Sequence, residues 1–192
     1  MAPAESARGD EELAAAAAAG DREALEELLG RHAPRVHRIC RRIVADPGDA
    51  LDATQEALLA VARRIDHFDG RCAFTTWLYR VATNAALDEL RRRVRRAAPT
   101  APETIHARSD DDPSRVVDHL DIRGALSALP EEFRVAVVLR DLGDLPYAEI
   151  AGILGVPVGT VRSRIARGRA LLAQRLEPGN RPGLVARPTE HP

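Results

Sequence analysis

The sequence predicts an all-α protein: two small helical domains joined by a flexible acidic linker, the second a helix-turn-helix domain. Three observations predict it. Residues are 45% hydrophobic and 30% charged, enough to build a folded core, and alanine and leucine, both strong helix formers, dominate the apolar part. Aromatic residues make up only 3%, so that core is mostly aliphatic. A stretch with three prolines and the run Asp110-Asp111-Asp112, residues 97–117, separates two helix-rich parts and has the composition of a flexible linker.

The elements follow in order. Residues 1–9 read as disordered. Helices are expected over 10–19 and 21–44, divided by Gly20. Asp21 caps the second, as a simple cap, because Ala24 stands where a capping box needs Glu or Gln. Asp46-Pro47-Gly48-Asp49 is a turn signal, and a third helix is expected over 49–65. His67-Phe68-Asp69-Gly70-Arg71 reads as a loop, followed by a fourth helix from Phe74 to Arg96 with Thr75 or Thr76 near its start. These elements make a first domain over 10–96. After the linker, helices over 118–129, 131–141, 146–154 and 159–176 make a second domain over 118–176. Pro130 and Pro146 suit first-turn positions, where a missing N–H costs nothing. The end, 177–192, carries four prolines and two glycines and reads as a disordered tail.

The net charge of −1 says little as a total, but its distribution is uneven. Residues 155–175 hold five arginines and no acid, and residues 91–96 hold five more. Two separate basic clusters fit two contacts with nucleic-acid phosphates, or two solvated arginine faces. Cys40 and Cys72 form no metal-spaced motif and no disulfide framework, and the spacing of His32, His37 and Cys40 is that of chance. The N-terminus is not a signal peptide, and no apolar run reaches the ~18–20 residues that span a bilayer, so no membrane insertion and a cytoplasmic location are expected. No nucleophile–base pair, metal set or phosphate loop supports an enzyme, and no cofactor is expected.

The strongest motif runs from Leu145 to Leu176. A short helix, the turn Gly155-Val156-Pro157-Val158-Gly159-Thr160 and a longer basic helix make the helix-turn-helix pattern. At about 100° per residue, Val161, Ile165, Gly168, Leu172 and Leu176 fall on one face. Ser163, Ala166, Arg167, Ala170 and Gln174 fall opposite, flanked by Arg162, Arg164 and Arg169. That outward face suits a DNA major groove: arginine donates twice to guanine, serine and glutamine pair with base edges or phosphates, and alanines permit close approach.

The first domain carries a second signal. Four of the six aromatic residues, Phe68, Phe74, Trp77 and Tyr79, lie within twelve positions, interleaved with Arg71 and Arg80. Rings that stack on bases and arginines that hold phosphates suit a single strand. Trp77 taken alone reads as core, whereas the loop 69–76 reads as functional. On the fourth helix, Arg80, Asn84, Leu87 and Arg91 form a stripe in which a carboxamide between arginines fits a base edge. On the third, Asp49, Asp52, Gln55 and Glu56 form an acidic stripe with no cation beside it in sequence. It is either a solvated face or a dock for a basic protein partner.

Together these motifs resemble the extracytoplasmic-function sigma factors of bacterial RNA polymerase. Asp49-Ala50-Leu51-Asp52-Ala53-Thr54-Gln55-Glu56 resembles that family's polymerase-binding helix. Phe74 to Asn84 (Phe-Thr-Thr-Trp-Leu-Tyr-Arg-Val-Ala-Thr-Asn) resembles its −10 segment. Leu129-Pro130-Glu131-Glu132-Phe133-Arg134 resembles the opening of its second conserved domain. Tyr147 to Ala151 and Gly155 to Arg164 resemble its −35 reader. The resemblance implies a non-enzymatic subunit that carries polymerase to promoters. The acidic stripe would dock on the clamp helices of the largest polymerase subunit, with the flap of the second-largest subunit as a further contact. Asn84, with Arg71, Phe74, Trp77, Arg80, Arg91 and the loop 69–76, would handle a melted −10 base. Thr160, Arg162, Ser163, Arg164, Ala166 and Arg167 would meet the −35 element. Promoter DNA and an anti-sigma factor are the other implied partners. Pro146 departs from the family's frequent serine, which changes the cap but not the helix. A stand-alone helix-turn-helix regulator is the competing reading, but it leaves the first domain unexplained.

Overall fold

The computed structural model describes residues 8–96 and 122–177. The expected linker, the tail beyond Glu177 and residues 118–121 of the expected fifth helix lie outside the described residues. Among the described residues every regular element is helical.

α1 (Asp10–Ala18) starts with Asp10, Glu11 and Glu12, which complement the positive end of the helix dipole. It ends before Gly20, whose φ of +101° only glycine adopts readily. α2 (Arg22–Ile43) is capped as expected: Asp21 accepts from the Ala24 N–H at 3.0 Å. Its buried residues, among them Ala24, Leu28, Val36, Ile39 and Ile43, recur every three or four positions and form one stripe. Pro34 sits inside this helix and withdraws a donor from the Gly30 carbonyl, tolerated because both residues lie on the solvent side.

α3 (Pro47–Arg64) begins two residues before its expected start. Asp46 is its N-cap, accepting from the Asp49 N–H at 3.0 Å, and Pro47 takes the first helical position. The expected turn is therefore the helix start. A 3-10 turn, Ile65–His67, leads into the loop before α4 (Phe74–Arg96). α2, α3 and α4 pack together, and α1 lies against α2 and the 3-10 turn.

The second group holds α5 (residues 122–127), α6 (Glu131–Asp141), α7 (Tyr147–Leu154) and α8 (Val158–Leu176). Pro130 and Pro146 stand at N-cap positions rather than inside the first turn. Their extended ψ of 141° and 150° belongs to the residue before a helix, and neither supplies a side-chain cap. α6 is the centre, with Val135 to Leu139 all buried. α8 crosses it at Gly168, where an added Cβ would stand 2.6 Å from a Val137 methyl. Between α7 and α8, Gly155 takes the left-handed conformation (φ +65°) and Val156 N–H returns to the Ala151 carbonyl at 3.2 Å.

The two groups touch. α2 packs on α6, and Arg35 donates to the carbonyls of Leu142 and Gly143 at 3.3 and 3.2 Å. The Thr76 hydroxyl donates to Glu149 of α7.

Candidate nucleic-acid interface

α8 presents its faces as the helical wheel requires. Val161, Ile165 and Gly168 are buried, and Leu172 and Leu176 are half-buried. Arg162, Ser163, Ala166, Arg167, Ala170 and Gln174 are exposed, while Thr160 and Arg164 are half-buried at the edge. The Ser163 hydroxyl donates to the Thr160 carbonyl at 2.9 Å, which leaves its lone pairs turned outward as acceptors. Arg169 is not part of a free basic face, because Asp141 of α6 binds its guanidinium. No ion pair engages Arg162, Arg164 or Arg167 among the described residues.

α4 carries the second set. Arg80 and Asn84 are exposed, Leu87 is half-buried, and Arg91 is exposed but paired with Asp88 at 2.7 Å. The rest of the 91–96 cluster is mostly engaged internally. Arg92 and Arg96 close on the buried Glu89, and Arg93 and Arg96 reach Asp49 at 3.1 and 3.0 Å. Phe74 corrects an expectation: it is fully buried and stacks on no base in this arrangement. It is the hub of an aromatic cluster, with ring centroids of Phe68 at 5.8 Å, Trp77 at 6.0 Å and His32 at 5.5 Å. Trp77 is half-buried in the same cluster, as its core reading expects.

In the loop, Gly70 adopts φ +69°, and Asp69 accepts from the Arg71 N–H while pairing with its guanidinium at 3.1 Å. Arg71, Cys72 and Ala73 are exposed. The start of α4 has no threonine cap. The carboxylate of Glu11, on α1, accepts from the Phe74 N–H instead, both oxygens at 3.2 Å. An open cavity of about 550 Å³ lies between α1 and the loop, lined in part by Glu11, Phe68, Asp69 and Cys72. Sequence reading missed Glu11, whose partner lies 63 positions away.

On α3, Asp52, Gln55 and Glu56 are exposed, but Asp49 is not a free member of the stripe. Arg93 and Arg96 neutralise it, and its side chain is only 17% exposed. The cation absent beside it in sequence comes from the end of α4. Leu51 and Leu59, 49% and 47% exposed, flank the remaining stripe and were not singled out from sequence. An acidic face edged by exposed leucines is more than a solvated surface needs.

His32 and His37, whose spacing with Cys40 reads as chance, turn to separate partners: His32 to Asp10 at 2.8 Å, His37 to Thr54 at 3.1 Å. Burial pushes the Cys40 thiol up to about 11. The Cys72 thiol is also pushed up, by burial and then by the neighbouring carboxylates of Asp69 and Glu149. Among the described residues no helix is long and apolar enough to cross a membrane.

Comparison with known proteins covers both groups. Residues 28–96 match the family model of sigma-70 region 2, and residues 119–172 that of sigma-70, region 4. The chain is 42% identical over 170 residues to the ECF RNA polymerase sigma factor SigM of Mycobacterium tuberculosis, spanning 88% of this chain and 85% of that one. It is 36% identical over 172 residues to the ECF RNA polymerase sigma-E factor of Escherichia coli K12, spanning 83% and 90%. Among solved structures, CnrH in complex with the cytosolic domain of CnrY superposes with a TM-score of 0.68 at 27% identity, over 87% of this chain and 96% of that one. The sigma factor RpoE of Bartonella quintana, solved with the anti-sigma factor NepR, shares the fold, with a TM-score of 0.65 at 23% identity over 78% and 94%.

Proposed function

The chain belongs to the ECF RNA polymerase sigma factors, and from that premise we propose how its two helical units divide the work of a non-enzymatic initiation subunit. Residues 118–176 read the −35 duplex through the outward face of α8. Residues 10–96 dock on core polymerase through α3 and hold the −10 element beside Asn84. The observation that carries this is the α8 face: Arg162, Ser163, Ala166 and Arg167 stand exposed, with no acid on that helix to answer the arginines. Arginine there reaches guanine edges, Ser163 accepts, and Ala166 lets the helix sit close to the groove.

On α4, Arg80 and Asn84 face solvent one turn apart, so a carboxamide can meet a base edge while Arg80 meets a phosphate. Asp52, Gln55, Glu56, Leu51 and Leu59 form the polymerase dock, with the clamp helices as the expected contact and the flap serving the second unit. CnrH is solved with the cytosolic domain of CnrY, and a protein partner that holds the factor off polymerase, an anti-sigma factor, is proposed here too. The cytoplasm, where polymerase meets the chromosome, is the proposed compartment.

Run-off transcription with core polymerase on a promoter library tests the reading and returns the specificity. Promoter-dependent initiation is expected. Failure to bind core polymerase at micromolar concentration, with duplex binding retained, would favour the stand-alone regulator.

The contact between the units adds a requirement. Elements named −10 and −35 lie some 25 base pairs apart, roughly 85 Å of duplex. Units joined through Arg35 and through Thr76–Glu149 do not bridge that span, so these bonds break on the promoter. The segment 97–121, fully extended, reaches roughly 80–90 Å. Energy transfer between dyes on α3 and α8 should fall when the holoenzyme binds promoter. Unchanged transfer would contradict the requirement.

A further inference from the structure

The cavity beside the −10 loop has a wall that lies outside the segment matched to sigma-70 region 2. That wall is α1, and its polar contribution is Glu11. α1 is firmly held. Leu13, Ala14 and Ala17 are buried, and Asp10 binds His32 at 2.8 Å and Arg31 at 2.6 Å. Glu11 is therefore carried on a fixed support, not on a fraying end.

Two carboxylates line the cavity, and they differ. Asp69 is answered by the Arg71 guanidinium. Glu11 has no cation partner among the described residues. Among the described residues it accepts from the Phe74 N–H, shared between both oxygens, and each oxygen keeps a lone pair. The Cys72 thiol, lining the same cavity, is pushed up by burial, then by Asp69 and Glu149, with Arg80 acting the other way and Glu11 adding last. A carboxylate turned toward the cavity accepts from amino groups and disfavours a carbonyl oxygen in the same place.

We propose that Glu11 is a specificity-determining residue of the −10 site, its carboxylate accepting from the exocyclic amine of the captured base while it holds the loop through the Phe74 N–H. This rests on the reading that the loop 69–76 captures a melted base; Asn84, ten residues and about 15 Å along α4 from Phe74, would meet a different nucleotide. A base with an amine on its edge is favoured over one that presents a carbonyl at the same place. Cytosine against uracil is the cleanest pair, since the rings match in size and differ at the 4-position by amine against carbonyl.

The test uses the full chain with core polymerase and a promoter pre-opened at the −10 element. Each position of the single strand carries deoxycytidine or deoxyuridine in turn. The wild-type complex is expected to prefer cytosine at one position by about tenfold, the scale of one hydrogen bond to a charged acceptor. In Glu11→Gln the amide oxygen still accepts from Phe74, so the loop stays held, but the preference at that position should fall below about threefold. Glu11→Ala should lose the preference and also weaken binding of both templates. Undiminished preference in both variants overturns the assignment while leaving the captured-base reading intact. Loss of polymerase binding in Glu11→Gln would make Glu11 a fold residue and overturns it too. If the wild-type complex distinguishes no base at any −10 position, the captured-base reading falls first, and the proposal with it.

Discussion

Replacing Gly168 with alanine tests how the reading helix is seated. A Cβ at this position would stand 2.6 Å from the Val137 Cγ2 methyl and 3.3 Å from both the Cβ and the carbonyl oxygen of Phe133. Carbon atoms in good contact keep about 3.5–4.0 Å, so roughly 1 Å of displacement is needed. Val137 cannot simply rotate away, because β-branched side chains in helices hold essentially one rotamer. α8 must then lift from α6. Alanine gains up to about 1 kcal/mol in helix propensity, and overpacking costs about 1–3 kcal/mol. A net loss of up to about 2 kcal/mol is expected, or several degrees in the melting of a unit this small. Gly152 is the internal control. It lies exposed in α7 with nothing near its missing Cβ, so Gly152→Ala should gain about 0.5–1 kcal/mol. Thermal and urea unfolding followed by circular dichroism compare the two. Gly168→Ala melting at or above the wild type would refute the close crossing. A destabilised variant with undiminished −35 affinity would show that the seat does not set the reading register.

Three further outcomes are expected. Asn84→Ala should keep polymerase binding while slowing open-complex formation at least tenfold, read by permanganate footprinting; normal opening would remove Asn84 from the base site. The pair Asp52→Lys and Glu56→Lys, on an exposed face, should leave the melting midpoint unchanged and weaken core-polymerase binding at least tenfold in a fluorescence titration. Equal affinity would move the dock elsewhere. With its thiol pushed up to about 11, buried Cys40 holds only about one part in a thousand as thiolate at pH 8, so a thiol reagent should label Cys72 alone in the folded chain and both cysteines in urea. Prompt labelling of both without denaturant would contradict the burial of Cys40.

What the sequence made legible was local. The Asp21 cap, the Gly20 break, the glycine-centred turn before α8 and both faces of α8 depend on residues within one or two turns of each other, and periodicity reads such relations directly. What it hid was pairing across the fold. Asp49 looked free because Arg93 and Arg96 lie more than forty positions away. Phe74 shared a run with solvent-facing arginines and so looked available, yet packing put it at the centre of the aromatic cluster. Thr75 and Thr76 stand near the expected start of α4, but neither caps it. The structure supplies the cap from Glu11, while Thr76 turns to Glu149. Asp46 to Asp49 reads as a turn by composition, but Asp followed by Pro is equally an N-cap followed by a first helical residue, and the hydrogen bond to Asp49 decides between them.

The same cross-fold pairing decides which of the two basic clusters can act on DNA. Counted along the chain, 91–96 and 155–175 look alike, with five arginines each. In space they part. Arg91, Arg92, Arg93 and Arg96 are answered by Asp88, Glu89 and Asp49, so that end of α4 has largely spent its charge inside its own unit. On α8, among the described residues, only Arg169 is answered in this way. Arg162 and Arg164 sit in the second turn, toward the positive end of the helix and with no acid on it to offset them, a weak local conflict. Such a conflict persists where a ligand supplies the missing negative charge, and duplex phosphates do so. Salt dependence measures the difference. Each neutralised phosphate contributes about −0.9 to the slope of log K against log salt. Arg162, Arg164 and Arg167, the unpaired arginines of the first three turns of α8, predict a slope near −3 for the full chain on a −35 duplex if each meets a phosphate, with Arg175 left out at the far end of the helix, and Arg167→Ala should then reduce it by about one unit. If it reads a base, the slope holds and affinity falls by about 1–3 kcal/mol at the cognate sequence alone. A slope of about −7 or steeper would require the 91–96 arginines as well, and the internal ion pairs described for them would have to open.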